Sequence, residues 1–432
     1  MCGIAGLVST GGGVDINLAR AMSASMQSRG PDGDGLWVDD TKICVLAHRR
    51  LSIIEVSELG AQPMEDSSGQ FVITFNGEIY NYSDLRGALI ASGVTFRSNS
   101  DTEVLLELYK RHGPDMLPKL RGMFAFAIWD KKERSLFLAR DTYGIKPLYY
   151  SHKKNQFAFA SQVKALLNDK SISRTVNPAG YAGYLLWGSV PEPHTLFADI
   201  QCLPAGHWLK IAQDQPAIGP IQFESVAENI LSSPANGSQS IREALLESVR
   251  YHLVADVEVG CFLSGGIDSG ALVGLMRDCG QEKIRTFTLD FSEFNNSAAN
   301  ETPFAAIVAE YYGTDHLVER ISRSDFDNSL SDISAAMDQP SIDGVNSWFV
   351  ARTAHRAGLK VALSGLGGDE LFAGYSTFTT VPTMVERWRR MGNFPLLQQA
   401  AKRLSAPLGR LLLPHRPKVA FMASHSGSIE SA

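Results

Sequence analysis

Apolar positions along this chain follow two different rhythms. Up to about residue 150 they fall in short runs, Gly3 to Val8, Phe71 to Phe75, Met123 to Trp129, Ser135 to Ala139 and Pro147 to Tyr150, rich in aromatic and β-branched residues and set among charged turns. Such runs read as strands. With Val104, Leu105 and Leu108 at helical spacing after Asp101, they predict an antiparallel sheet with helices packed on it. After about residue 240 the rhythm changes. A helical pattern (Leu245, Leu246, Val249, His252) precedes an apolar run from Val257 to Leu263, and a second helical pattern follows (Leu272, Leu275, Met276, Cys279). Strands are then expected at Ile284 to Phe291, His316 to Ile321 and Leu359 to Ser364, with helices at about 303–312, 325–337 and 345–357. Strands alternating with helices predict a doubly wound parallel α/β sheet. Between the two rhythms, Leu203 to Gly206, Asp214-Gln215-Pro216, Gly219-Pro220 and Ser232 to Ser240 break any period. The expected organisation is a first domain over 1–205, a linker over 206–240 and a second domain over 241–432.

Composition narrows the classes of partner. A length of 432 residues suits two or three domains, and 44% hydrophobic with 20% charged residues is ordinary for globular domains. A formal net charge of −6 argues against nucleic acid as the main partner. No apolar run reaches the roughly 20 residues of a membrane span, so no membrane partner is expected. Met1-Cys2-Gly3-Ile4 lacks the basic and apolar regions of a signal peptide. Five cysteines with no close pairing fit a reducing cytoplasm better than a disulfide framework.

Candidate chemistry sits at six places. Cys2 follows the initiator methionine, and removal of Met1 would give it a free α-amine. One residue would then carry a thiol nucleophile and a base of pKa near ~7.7–8.0. His48-Arg49-Arg50-Leu51-Ser52-Ile53-Ile54 could hold a carboxylate in an arginine fork. Asn76-Gly77 reads either as a hairpin turn or as a pair of oxyanion donors. Asp101 reads either as a helix N-cap or as a ligand for a substrate ammonium. Finally, Leu263-Ser264-Gly265-Gly266-Ile267-Asp268-Ser269 is a strand–glycine turn–helix start, a setting suited to phosphate. It has neither the Lys of a Walker A loop nor the spaced glycines of a dinucleotide fingerprint. A second glycine-rich segment, Ser364-Gly365-Leu366-Gly367-Gly368-Asp369-Glu370, follows another expected strand. Asp268 and Asp369 could share a Mg²⁺ that neutralises a triphosphate.

The order of motifs adds a resemblance. Cys2-Gly3-Ile4, Arg29-Gly30-Pro31-Asp32, His48 to Ile53, Asn76 to Asn81, Ser100-Asp101-Thr102-Glu103, Arg121 to Phe126 and Arg140-Asp141 to Gly144 together resemble the glutaminase domain of class II glutamine amidotransferases. That family belongs to the N-terminal nucleophile hydrolases. Leu263 to Ser269 and Ser364 to Tyr375, supported by Asp338-Gln339-Pro340, resemble the PP-loop ATP pyrophosphatases, and within them the asparagine synthetase family. The resemblance implies an N-terminal nucleophile hydrolase αββα sandwich followed by a doubly wound PP-loop domain. It implies Cys2 as nucleophile, with Asn76 and Gly77 as the oxyanion hole. Glutamine would be held by Arg50, Leu51, Ser52, Ile53, Ile54, Glu78 and Asp101. ATP would meet Leu263, Leu289, Ser364 and Gly365 at its adenosine portion and Ser264, Gly265, Gly266, Asp268 and Ser269 at its phosphates, with Mg²⁺ on Asp268 and Asp369. The implied reaction is adenylation of aspartate and displacement of AMP by glutamine-derived ammonia, in a homodimer.

The sequence departs from the family pattern in places. Ser28 and Gln162 replace a histidine and an acid common there, and the second is expected to alter contacts between domains. Leu366 stands where asparagine-forming enzymes carry an acid, so another carboxylate, such as a sugar acid, is an alternative acceptor. Family members also run well over a hundred residues past the Gly-Asp-Glu loop, with a basic catalytic residue and an Arg-x-Pro-Phe-Leu-Asp segment not matched here. The chain is therefore expected to be shortened at its C-terminus, its end polar and unperiodic from Ser424. A glutaminase with an inert synthetase half is the third reading.

Overall fold

The period-two runs of the first part close into two antiparallel sheets stacked face to face. The computed structural model describes residues 1–153, 155–212, 217–232, 240–294, 297 and 300–391. Its first strands are β1 (Gly3–Ser9), β2 (Gly33–Val38), β3 (Cys44–Arg50), β4 (Met64–Glu65), β5 (Phe71–Ile79), β6 (Gly122–Asp130), β7 (Ser135–Arg140), β8 (Tyr149–Lys153), β9 (Gln156–Ala160), β10 (Gln201–Cys202), β11 (His207–Ala212) and β12 (Ile218–Gln222). One six-stranded sheet runs β10-β8-β9-β1-β3-β2 and the other β12-β11-β7-β6-β5-β4.

Successive side chains point to opposite faces, and this sorts the core into layers. Ile4, Val8, Leu46, Val72, Trp129 and Phe159 meet between the sheets. Helices α1 (Ile16–Ala24), α2 (Tyr82–Ala91), α3 (Asp101–His112) and α4 (Val163–Leu166) cover the outer faces. Leu7 and Val45 pack under α1 and α4, while Ile73, Phe75 and Phe126 pack under α2 and α3. Each fully buried Leu or Phe contributes about 1.5–3 kcal/mol relative to exposure. The layers are helix, sheet, sheet, helix, as the resemblance implied.

The expected domain limit at residue 205 and the linker over 206–240 need correction. β11 pairs with β7 from Trp208↔Ala139 to Ala212↔Ser135, and Leu209 and Ile211 fill the inter-sheet core. The break at Leu203 to Gly206 is a turn inside the sandwich, tight enough to place Gly206 at φ +68°. The breaks expected at Asp214-Gln215-Pro216 and from Ser233 to Gln239 lie outside the described residues, as does the stretch from Ser424.

Two helices, α5 (Pro178–Trp187) and α6 (Val226–Ser232), precede the second sheet system, which opens with α7 (Ile241–His252). Then come β13 (Val259–Phe262), α8 (Ile267–Asp278), β14 (Arg285–Phe291), α9 (Thr302–Tyr312), β15 (Asp315–Ile321), α10 (Arg323–Ala336), α11 (Gly344–Arg356) and β16 (Val361–Leu363). The sheet order is β15-β14-β13-β16, and all its pairings are parallel. Chain order reverses between β13 and β16, and a crevice opens outside the carboxyl ends of strands at such a switch point. Among the described residues no helix is long and apolar enough to cross a membrane.

Met1–Ser364 forms one compact unit and a second begins at Gly365. In the second unit, α12 (Gly368–Phe372) and α13 (Thr377–Met391) are described. The sandwich and the parallel sheet are thus not separated at 206–240, because side chains bridge them. Gln162 is the N-cap of α4 and makes no side-chain capping bond. Asp338, just after α10, takes that role: its carboxylate accepts the Val163 and Lys164 N–H groups at 2.6 and 2.9 Å. Gln339 Oε1 accepts the Leu196 N–H at 3.0 Å. Asp338→Ala should therefore destabilise the first unit by about 0.5–2 kcal/mol, the range for a lost helix cap, read as a lower urea midpoint.

Candidate active sites

Cys2 is placed by the first strand pairing. Gly3 pairs with Arg49 of β3, which brings the thiol to the chain leaving β3. Its S–H donates to Leu51 O at 3.6 Å, and the Leu51 N–H points at Sγ at 3.4 Å. The Arg29 Nε–H donates to Cys2 O at 2.9 Å. Burial raises the thiol pKa, against the Leu51 contact and the nearby terminal ammonium, Lys146 and Arg29. Burial likewise pushes the Met1 ammonium down to about 5. A thiol held protonated needs a base to become a nucleophile, and burial beside Cys2 favours the neutral form of the terminal amine.

Asn76 and Gly77 are not a hairpin turn. β5 runs through them to Ile79, with Asn76 opposite Ala125 and Gly77 opposite Phe124 of β6. The Asn-Gly turn signal loses because the flanking residues continue the alternation that buries β5 on both faces. A Cβ at Gly77 would meet Met123 O at 2.2 Å, so glycine is required by the close backbone. Asn76 has no exposed surface, and both its Nδ2 and Oδ1 lack a partner. Leaving a buried polar group unpaired costs about 1–3 kcal/mol. A substrate oxygen on Nδ2 would remove part of that cost.

Carboxylates and one lysine complete this site. Burial raises the Glu78 pKa, opposed by the Lys146 ammonium and the chain terminus. Asp101 is not an N-cap, since Ser100 fills that position and accepts the Thr102 N–H at 3.1 Å. Asp101 is buried in the first turn of α3 and accepts the Ile79 N–H at 3.0 Å. Burial, with the Glu78 carboxylate adding to it, pushes its pKa up to about 7. Lys146 was not singled out from sequence. It lies in a charged turn, Gly144 to Pro147, that looked solvated. Asp141 draws that turn in, accepting the Lys146 and Phe124 N–H groups at 3.0 and 3.2 Å. Lys146 is thereby buried, and burial lowers its pKa.

The two arginines of β3 part company. Arg49 turns toward α1, its Nε–H donating to Ser23 O at 3.2 Å. Arg50 faces residues 51–57, which fold back over it, and donates to Ser57 O at 2.8 Å and to Glu55 O. Ser52 is buried, with its N–H on Asp32 Oδ2 at 2.9 Å. Leu51, Ile53 and Ile54 are half-buried beside it.

The second candidate site lies at the carboxyl ends of β13 and β14. Ser264 and Ser269 close the glycine turn on itself, their hydroxyls 2.9 Å apart. The Gly266 N–H donates to Ser264 Oγ at 3.1 Å. Gly266 is the N-cap of α8 and offers no side chain, so the first N–H groups of this helix have no side-chain cap. Gly265 and Gly266 are exposed, and Asp268 stands in the first turn. Next to the turn is a cavity of about 290 Å³, lined by Leu263, Ser264, Leu289, Phe291, Asn346 and Val350 among others. Leu263 and Leu289, expected at the adenosine, share this cavity. Asn346 and Val350 were missed, because nothing in the pattern of α11 marks which of its faces meets β14. Ser364 directly follows β16. In the second unit, Gly365 O accepts the Gly368 N–H at 3.2 Å. There Asp369 lies in the first turn of α12, and Leu366 is 89% exposed. Among the described residues, no three His, Cys, Asp or Glu side chains gather as a metal site.

Residues 1–220 match the glutamine amidotransferase domain family, and residues 240–424 match the asparagine synthase family. A Methanocaldococcus jannaschii protein named for a glutamine-hydrolysing asparagine synthetase is 32% identical over 402 residues, covering 87% of this chain and 76% of its own length. The chain belongs to the glutamine-hydrolysing asparagine synthetase family. A further relative in that family, asparagine synthetase (glutamine-hydrolysing) 1 of Bacillus subtilis, is 37% identical over 366 residues, covering 84% of this chain and 56% of itself. Amidase chry2 of Gibberella zeae is 32% identical over 377 residues, covering 81% of this chain and 54% of itself. The chain therefore spans about half the length of these last two relatives. A solved glutamine phosphoribosylpyrophosphate amidotransferase of Bacillus subtilis covers 84% of this chain at 17% identity and a TM-score of 0.39, a likeness too loose to inform either site.

Proposed function

We propose that this chain hydrolyses glutamine at Cys2 and passes the ammonia to an ATP-adenylated aspartate, giving asparagine, glutamate, AMP and pyrophosphate. The observation that carries the first half is the buried Asn76 amide with no partner of its own, on a strand that also bears Glu78, whose carboxylate feels the chain terminus and Lys146. With Met1 removed, the Cys2 α-amine takes the thiol proton and Sγ attacks the glutamine side-chain carbonyl. Asn76 Nδ2 and the Gly77 N–H hold the oxyanion. The amine returns the proton to the departing ammonia, and water releases glutamate from the thioester. Arg50 receives the glutamine α-carboxylate, Asp101 and Glu78 its ammonium, and Leu51 to Ile54 wall the pocket.

For the second half, the cavity at Leu263 and Leu289 suits an adenosine, and Ser264 to Ser269 suit its phosphates. Ser364 completes the adenosine contacts in this reading. Mg²⁺ binds through one or two carboxylates with phosphate oxygens and waters filling its shell. Asp268 would hold it here, and it would neutralise the phosphate charge. The direct test is production of AMP and pyrophosphate that depends on aspartate and glutamine. Leu366 favours a second reading on one point, the acceptor. Turnover with another carboxylate and none with aspartate would reassign it.

This reading fixes a pH dependence. A carboxylate that must meet an ammonium has to be ionised, and burial pushes the Asp101 pKa up to about 7. Below that pH it is protonated. Thus kcat/KM for glutamine is expected to rise with pH up to about 7 and level off above it. In Asp101→Asn that rising limb should disappear, at a lower kcat/KM throughout.

A further inference from the structure

The edge of the glutamine pocket is not held by the sandwich alone. Residues 51–57 fold over Arg50, and the Glu55 carbonyl accepts its guanidinium. Glu55 is itself in the left-handed region, at φ +53°, a conformation that a non-glycine residue keeps only where its surroundings impose it. Part of that imposition comes from the parallel-sheet side. Asp256, which precedes β13, accepts the Glu55 N–H on Oδ2 at 2.7 Å. The Asp256 N–H donates to Ile53 O at 2.9 Å.

A second tie lies one strand over. Lys360, the residue before β16, donates to Asp32 Oδ2 at 2.7 Å. The same oxygen accepts the Ser52 N–H at 2.9 Å, and the Asp32 N–H donates to Arg50 O at 2.9 Å. Burial alone would raise the Asp32 pKa; Lys360 and the Ser52 N–H hold it below its ordinary value, so this carboxylate is charged at neutral pH. Both anchors thus sit at the amino ends of β13 and β16, neighbouring strands in one sheet. Neither falls within residues 1–220, which match the glutamine amidotransferase domain.

We propose that Asp256 and Lys360 are positioning residues for glutamine: they hold residues 52–55, and through them the Arg50 guanidinium, in the arrangement that receives the substrate carboxylate. The proposal rests on the glutaminase reading above and adds to it that glutamine affinity is set partly by the synthetase half. The oxyanion donors are fixed separately, by β5, and the nucleophile by β1 and by the Leu51 backbone ahead of residues 52–55. Losing an anchor should therefore alter binding more than chemistry.

The test uses the full chain and measures glutamate release against glutamine concentration. Asp256→Ala and Lys360→Ala should each raise KM about 3- to 10-fold, the effect of one or two lost hydrogen bonds, with kcat within about twofold. Lys360→Arg, which keeps the donor, should stay near the parent KM. Both side chains are exposed, so alanine removes a bond and opens no core cavity. Amide hydrogen exchange gives a readout that needs no turnover. Protection should fall at Glu55 in Asp256→Ala and at Ser52 in Lys360→Ala, with the rest of the sandwich unchanged. An unchanged KM in the double variant, or a fall in kcat at constant KM, overturns the proposal, as does unchanged exchange at both amides. A parent chain that releases no glutamate would instead sink the glutaminase reading, while the exchange data still decide whether the two anchors hold the loop.

Discussion

Cys2→Ala is expected to abolish glutamine hydrolysis, with a loss in kcat of about a thousandfold or more. The reason lies in what surrounds the thiol. Its Sγ meets only backbone atoms of Leu51 among the hydrogen bonds described, so alanine removes the nucleophile without opening a charge or a large void. No other thiol can stand in. Cys44, Cys202 and Cys261 are buried: Cys44 is in the core between the sheets, and Cys202 and Cys261 are pushed up to about 12 by burial. Cys279 is the C-cap of α8, its thiol directed at Leu246 O of α7. Glutamate release should therefore fall to background while the urea midpoint stays within error. Amide formation driven by added ammonium salts should survive if the synthetase half is active. A Cys2→Ala protein that still hydrolyses glutamine at a substantial rate would remove Cys2 from the mechanism.

Asn76→Ala carries the second largest effect, and its signature is twofold. Removing one oxyanion donor lowers kcat by about 10²–10³ with little change in KM, because that bond strengthens as charge develops. Stability should move the other way or not at all. Most buried side-chain truncations destabilise, but this amide has no partners on Nδ2 or Oδ1. Deleting it relieves an unpaired polar group and leaves a small cavity, two terms of similar size and opposite sign. A large loss of rate with an unchanged melting curve is thus the outcome to look for. A loss of stability matching the loss of activity would make Asn76 a structural residue of β5. Asn76→Asp should be at least as slow, since a carboxylate there repels the oxyanion.

Asp338 shows where the sequence was suggestive without being decisive. The odd Gln162 pointed to altered contacts between the halves. Only the fold revealed that an aspartate some 175 positions away caps the helix Gln162 fails to cap. The reading of Asn76-Gly77 as a turn failed for a related reason. A dipeptide signal is local, whereas β5 is held straight by nine paired residues of β6. Lys146 was hidden, and Asp101 could be read as an N-cap, because burial of a charged residue is a property of its neighbours. A lysine in a charged turn and an aspartate after a serine look solvated until Asp141 and the Ile79 N–H draw them inward.

What the sequence determined by itself is the kind of structure and the kind of chemistry. Period-two alternation can bury itself only as stacked sheets, and strand–helix alternation only as a parallel sheet with helices outside. The glycine pair after β13, flanked by serines, marks a turn before a helix by composition alone. The tertiary structure alone decided which distant residues meet. It turned Arg49 toward α1 and folded residues 51–57 over Arg50. It extended the sandwich through β11 and β12, and it joined Asp256 and Lys360 to a loop two hundred and more positions away. Such pairings depend on how strands of distant sequence are brought side by side. No local period encodes that, because the ordering comes from the shared core that all the elements bury together.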